Sequence, residues 1–209
     1  MKEYHKIVTV WQRDPATKHK TLLEGVWAEP EFSYLKDNEW TFTEKVDGTN
    51  IRVMWDGDQV RFGGKTDVAQ LYVPLMERLQ TLFYQGAIAR LFDGPACLYG
   101  EGFGARIQKG GGDYIPDGVD FCLFDALVGD TWLERNNVED IAGKLNCMVA
   151  PILGRGPLIE GIEMTRAGFN SQWGAFTSEG LVMRPSTELK TRRGHRVITK
   201  IKHKDFTAK

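Results

Sequence analysis

Apolar residues alternate with polar or small ones on both sides of a short glycine-containing segment in the first third of the chain. Trp40, Phe42 and Glu44 occupy every second position before it, Ile51, Val53 and Trp55 every second position after it, and Lys45-Val46-Asp47-Gly48-Thr49-Asn50 lies between. Because strand side chains point to alternate faces, this spacing predicts two strands that meet at Gly48, with Lys45 at a strand end beside a tight turn. The same reading gives a strand over 6–11, a polar turn over 12–20 carrying Asp14-Pro15, a hairpin turn at Asp56-Gly57 and a returning strand over 59–62. Residues 21–38 hold Trp27, Phe32 and Tyr34 but no clean period.

From Pro74 the period lengthens. Leu75, Leu79, Leu82 and Phe83 fall at helical spacing, and proline suits a first helical turn, so a helix is predicted to about residue 84. A strand over 96–99 leads into Gly100-Glu101-Gly102-Phe103-Gly104, read as a loop, followed by a second glycine-rich stretch over 108–112. Further strands are predicted over 119–128, 149–153, 179–184 and 196–202. Asn137 is predicted to cap a helix holding Val138, Ile141, Ala142 and Leu145, and a helix over 157–167 is stopped by Gly168. Many short strands with a few helices, in no strict alternation, predict an α+β fold with antiparallel sheets flanked by helices. No repeat, low-complexity segment or linker interrupts the chain, which predicts a single domain over 1–209.

At 209 residues, 42% hydrophobic and 26% charged, the chain has the composition of an ordinary globular protein. Its net charge of −1 hides an asymmetry that changes the picture. Eight of the 27 Lys and Arg residues fall between Lys190 and Lys209 against the single acid Asp205, which leaves residues 1–189 at −8. A basic end on an acidic chain points to a local site for phosphates or nucleic acid. Cys97, Cys122 and Cys147 have no Cys-x-x-Cys spacing and read as reduced, mostly buried thiols. The N-terminus has no apolar signal region, and no stretch nears the roughly 20 apolar residues of a membrane helix, so a cytoplasmic protein is expected.

Five features could act on a nucleotide. Lys45 becomes a nucleophile once its amine loses a proton, which nearby cations or desolvation promote. In Val197-Ile198-Thr199-Lys200-Ile201-Lys202, alternation puts Lys200 and Lys202 on one strand face, about 7 Å apart and able to clamp a phosphate. Glu101 and Glu179, at strand ends, could hold Mg²⁺ or accept a ribose hydroxyl. Phe121 could stack on a base, and Lys65 could reach a phosphate from Gly63-Gly64. No Gly-x-x-x-x-Gly-Lys-Ser/Thr loop or Gly-x-Ser-x-Gly elbow is present, and His5, His19, His195 and His203 lack metal spacing, which argues against a phosphate-loop or triad enzyme.

Taken in order, Lys45-Val46-Asp47-Gly48, Leu98-Tyr99-Gly100-Glu101-Gly102-Phe103, Asp120-Phe121-Cys122-Leu123-Phe124-Asp125, Glu179-Gly180-Leu181-Val182-Met183-Arg184-Pro185 and Ile198-Thr199-Lys200-Ile201-Lys202 resemble the motifs of the covalent nucleotidyltransferases. These are the ATP-dependent DNA ligases, RNA ligases and mRNA capping enzymes. Asn50, five residues after Lys45, is similar to the RNA ligase 2-like branch, whereas Asp47 stands where some of those enzymes have histidine. The resemblance implies a nucleotidyltransferase fold that forms a covalent lysyl-AMP at Lys45 from ATP with Mg²⁺ (or Mn²⁺). AMP then passes to a 5′-phosphate end, which is sealed to a 3′-hydroxyl of RNA. It also implies that Lys200 and Lys202 neutralise the α-phosphate, that Lys65 and Asn50 lie near the outer phosphates or the acceptor end, and that Glu179 holds the metal. Glu101 would contact the ribose, Phe121 the adenine face, and Glu44 the base. The chain ends seven residues after Lys202, so no C-terminal oligonucleotide-binding or helical domain is expected. That makes a minimal monomeric ligase the expectation, with an accessory protein replacing the missing domain on duplexes, in a setting that would suit a bacteriophage. A minimal DNA ligase and a non-catalytic nucleotide- or nucleic-acid-binding module stay open as alternatives.

Overall fold

The computed structural model describes residues 3–207, so Met1-Lys2 and the last cation of the basic end, Lys209, lie outside the described residues. The chain divides into two compact units, each built from discontinuous segments. The described residues up to His5 join Asp47–Ala150 in one, called here the Glu101 unit; Lys6–Val46 and the residues from Pro151 onward form the other, the Lys45 unit.

In the Glu101 unit the sheet runs in the order Met148–Val149, Val119–Val128, Ala96–Gly104, Thr49–Trp55 and Val60–Gly63. All pairings are antiparallel except that of Met148–Val149 with its neighbour. One face carries Ile51, Val53, Leu98, Phe121 and Leu123 into a core with Leu75, Leu79 and Phe83 from helix Val73–Leu82 and its end, and with Val138 and Ile141 from helix Arg135–Lys144. The opposite face holds a smaller cluster of Cys97, Tyr99 and Leu127, against which Tyr4, Phe124 and Trp132 pack.

In the Lys45 unit the order is Val8–Thr9, Thr199–Lys202, Gly180–Pro185, Trp40–Glu44 and Ile152–Gly156. Here Trp40, Phe42, Leu181, Met183 and Ile201 face Leu158 and Ile162 of helix Leu158–Ala167 and Phe32 of helix Pro30–Leu35. Each side of the central Trp40–Glu44 strand has an antiparallel partner, which explains why all five of its residues are buried.

Mixed helices and mainly antiparallel sheets match the predicted α+β class, but several local expectations are corrected. Strands Trp40–Glu44 and Thr49–Trp55 exist and do not pair with each other; they belong to different units. Alternation fixes which face a side chain takes, not which strand lies alongside. The predicted 149–153 strand is two, Met148–Val149 and Ile152–Gly156, one in each unit. Two of the three crossings, at Val46/Asp47 and Ala150/Pro151, run from one strand almost directly into the next, so no linker composition marks them. Helix Arg135–Lys144 starts before Asn137, with Glu134 at its N-cap. Residues 100–104 continue strand Ala96–Gly104 and are not a loop. Among the described residues no helix is long and apolar enough to cross a membrane.

Candidate functional site

The Lys45 unit gathers the predicted lysines around one carboxylate. Lys45 leaves the end of strand Trp40–Glu44 with its backbone N–H donating to the Gly180 carbonyl at 2.9 Å. On the other side of Gly180–Pro185, the register sets Lys202 opposite Gly180 and Lys200 opposite Val182. Gly180 therefore has a lysine on each flank, and Glu179 precedes it. At Gly180 φ is +148°, and a Cβ there would lie 2.1 Å from the Ile201 carbonyl oxygen, so only glycine lets the strands close at this point. The Lys45 ammonium lies 2.6 Å from Glu179 Oε2, and Lys202 pairs with Glu179 Oε1. Half-buried Lys200 stands on the same strand two residues before Lys202.

Burial pushes the Glu179 carboxyl up, but the charge of Lys45 and hydrogen bonds from Lys202 and Lys45 outweigh it, so the pKa is held below its ordinary value. Glu179 is thus an ionised anchor and a poor proton acceptor near neutral pH. Two ammonium groups against one carboxylate leave this trio at +1, a charge suited to phosphate.

Glu44, the residue before Lys45, is buried, with 2% of its surface exposed. Its Oε2 accepts from the Gln172 N–H at 2.9 Å, while its buried Oε1 has no hydrogen-bond partner. A buried carboxylate oxygen left unpaired is costly; an N–H donor on a ligand, such as an exocyclic amine, would answer it.

In the Glu101 unit, Asn50, Glu101 and Cys122 form one cross-strand row, so two more predicted residues share a face. Asn50 Oδ1 is also buried without a partner. Gly48 sits over this row: a Cβ on it would come 2.2 Å from the Gly102 carbonyl oxygen and 2.8 Å from Glu101 Cγ. The glycine after Asp47 therefore serves close approach to strand Ala96–Gly104, not a hairpin between its neighbours.

Phe121 is a correction. It pairs with Gly102, one position out of phase with Glu101, and its side chain is fully buried in the helix-covered core, edge-on to Phe83 with centroids 5.1 Å apart. Its ring has no free face for a base. The aromatic on the Glu101 side is Phe124, which the sequence reading passed over. Tyr99 pairs with Asp125 and Gly100 with Leu123, which leaves Phe124 as an extra, bulged residue. Phe124 packs with Tyr4 and the Tyr99 cluster on the sheet face opposite the helices. A signal was available: the core takes Phe121 and Leu123, so the next aromatic belongs to the other face.

Lys65 is exposed on the segment after strand Val60–Gly63 and is not gathered with other predicted residues. Its loop is anchored by Arg52, also missed from sequence. Arg52 is fully buried and donates to the Gly64 carbonyl at 2.8 Å and to Asp67 Oδ1 at 2.7 Å. Two further residues brace the turn after Lys45: Tyr114 Oη accepts from the Asp47 N–H at 3.1 Å, and Gln108 Nε2 donates to the Gly48 carbonyl at 3.0 Å. Among the described residues no three His, Cys, Asp or Glu side chains cluster to hold a metal ion alone. Glu179 already has an ammonium on each of its carboxylate oxygens, so a hard cation there would share it with the lysines or displace one of them.

Comparison with known proteins places the fold. The fold is similar to structures of an RNA ligase from Naegleria gruberi. One, of a variant with ATP and Mn, has 20% identity and a TM-score of 0.63, covering 81% of this chain and 52% of that one. Another, with AMP and Mn, has 18% identity and a TM-score of 0.66, covering 96% and 57%. A third, without ligand, has 19% identity and a TM-score of 0.67 with the same coverage. The chain thus spans just over half the length of these ligases. A family model described as RNA ligase matches residues 38–202, from just before strand Trp40–Glu44 to Lys202, and so includes every candidate residue above; the chain belongs to the RNA ligase family.

Proposed function

We propose that this chain is an ATP-dependent RNA ligase that forms a covalent lysyl-AMP at Lys45. The observation that carries the reading is the trio of Lys45, Glu179 and Lys202, with Lys200 beside it. Family membership, and the ATP- and AMP-containing Naegleria structures of similar fold, support it.

Lys45 attacks only as a neutral amine. Its proton passes to solvent before the attack. The amine nitrogen then bonds to the α-phosphorus as the bond to pyrophosphate breaks, and pyrophosphate leaves with the electron pair. A 5′-phosphate oxygen of RNA next attacks the same phosphorus and frees Lys45. In the last step a 3′-hydroxyl, losing its proton, attacks the activated 5′-phosphate and AMP departs. Alignment and charge neutralisation are the protein's contribution to all three displacements. Glu179 keeps Lys45 and Lys202 in place, Lys200 and Lys202 face the α-phosphate, Glu44 Oε1 accepts from the base, Glu101 holds the ribose and Phe124 stacks on adenine. Mg²⁺ or Mn²⁺, when bound through Glu179 and the nucleotide, would neutralise charge on the phosphate oxygens. Asn50 and Lys65 serve the outer phosphates or the acceptor end.

Intact mass after incubation with ATP and Mg²⁺ tests this directly. Wild type is expected to gain one AMP and Lys45→Ala none; a wild type that gains nothing overturns the reading. Nicked duplexes with an RNA or a DNA 3′-hydroxyl strand then separate RNA from DNA sealing.

A further inference from the structure

On the helix-covered side of the Glu101 unit lies a cavity of about 480 Å³, within the size range of small-ligand sites. It opens where helix Val73–Leu82, helix Gln85–Ala89 and the end of helix Arg135–Lys144 meet. Those helices cover the sheet face that carries Phe121, so the cavity is on the opposite side of the sheet from Asn50 and Glu101. None of the candidate catalytic residues lines it.

Its walls combine three chemistries. Leu82, Leu91 and Leu145 give an apolar floor. Tyr84, 53% exposed, offers an aromatic ring. Arg78, Arg90 and Lys144 supply three cations, and no carboxylate lines the cavity. The cations differ in availability. Arg78 is held by two hydrogen bonds to Asp120, at 3.0 and 3.1 Å, and is largely neutralised. Lys144 pairs with Asp140 in an exposed one-turn contact, which is weak and easily exchanged. Among the described residues Arg90 has no acidic partner: its guanidinium donates to the Tyr84 hydroxyl at 2.5 Å and to the Gly86 carbonyl at 2.9 Å. An aromatic ring with a guanidinium at its hydroxyl, over an apolar floor and beside an exposed ammonium, matches a base with its phosphate.

We infer that this cavity is a second nucleotide-binding site, taking one unit of a single-stranded RNA segment away from the joined ends, with its base on Tyr84 and its phosphate on Arg90 and Lys144. The identity of the strand rests on the RNA ligase reading; the base-and-phosphate chemistry does not. The site would extend the footprint on RNA without touching the chemistry at Lys45.

The test is fluorescence anisotropy of a labelled single-stranded oligoribonucleotide with the full chain, with AMP uptake from ATP measured alongside. Tyr84→Ala is expected to weaken RNA binding about 10-fold, while Tyr84→Phe, which keeps the ring, binds as wild type. Arg90→Ala with Lys144→Ala removes two phosphate contacts and should flatten the salt dependence, lowering the slope of log affinity against log salt by about 1.4. All of these variants are expected to take up AMP at the wild-type rate. Affinity and salt slope unchanged in both Tyr84→Ala and the double variant overturn the site. An excess of AMP that displaces RNA from wild type but not from Tyr84→Ala shows a free-nucleotide site and overturns the strand assignment. A wild type that takes up no AMP, yet loses RNA on Tyr84→Ala, removes the ligase reading and leaves the cavity standing.

Discussion

The two units arrange their candidate polar residues differently. In the Lys45 unit three charged candidates answer one another: Glu179 binds both Lys45 and Lys202, and its carboxyl is held ionised by them, while Glu44 Oε1 is buried without a partner. In the Glu101 unit the row of Asn50, Glu101 and Cys122 stands beside the bulged Phe124, and Asn50 Oδ1 is buried with no partner at all. A set of mutually paired charges is ready for displacement at phosphorus, because the groups that would face phosphate are already positioned. An incompletely paired face with a bulged aromatic is ready for recognition instead. Under the proposed function the chemistry belongs to the Lys45 unit, which also supplies Glu44 to the base, and the remaining recognition of the nucleotide belongs to the Glu101 unit.

The largest expected effect tests that division directly. Glu179→Gln removes the charge that positions both ammonium groups, and AMP uptake is expected to fall by about 10²–10³-fold, in the range seen when one preorganised electrostatic partner is lost. Glu101→Gln should instead raise the ATP concentration needed and spare most of the maximal rate. Initial rates of AMP uptake across ATP concentrations separate the two. A Glu101→Gln variant as inactive as Glu179→Gln breaks the division.

A second pair of substitutions sharpens it within one strand. Phe121→Ala empties a fully buried core position and should cost about 3–5 kcal/mol of stability, read as a lower melting temperature, with the ATP requirement of the folded protein unchanged. Phe124→Ala should raise the ATP requirement about 10-fold, as expected for loss of one base-stacking ring, and cost less stability because Phe124 is only partly buried. If Phe121→Ala changes the ATP requirement and Phe124→Ala does not, the assignment of faces is reversed.

That strand also shows how far sequence could reach. Lys45, Glu179, Lys200 and Lys202 were legible because each sits in a regular strand or beside a glycine, where period-2 spacing and register carry the information. Strand existence and the α+β class were legible for the same reason. Phe124 was passed over although alternation from Phe121 and Leu123 puts it on the face of Glu101; the bulge there, which is set by the partner strand, shifts the phase only from Asp125 onward. The false hairpin at Gly48 has a similar cause. Asp-Gly is a strong turn signal, yet here the glycine is required by the backbone of strand Ala96–Gly104, fifty residues away in the chain. Arg52, Tyr114 and Gln108 brace loops by long-range hydrogen bonds that leave no local pattern at all.

The smallest expected effect is a pH dependence of stability seated in the Lys45 unit. Folding lowers the Glu179 pKa from its ordinary 4.5. A carboxyl whose pKa falls on folding contributes stability above its unfolded value, and that contribution is lost as pH drops through the lower folded value. The melting temperature of wild type should therefore fall relative to Glu179→Gln as pH is taken from neutral to well below 4.5, with the change concentrated below that point. Glutamine carries no titrating proton, so the difference between the two proteins isolates the one group. A difference that stays constant over the whole range would mean that the two lysines do not hold Glu179 ionised in solution. In that case the Lys45 unit would lose the feature that distinguishes it from the Glu101 unit, since its carboxylate would no longer be a fixed anion between two cations.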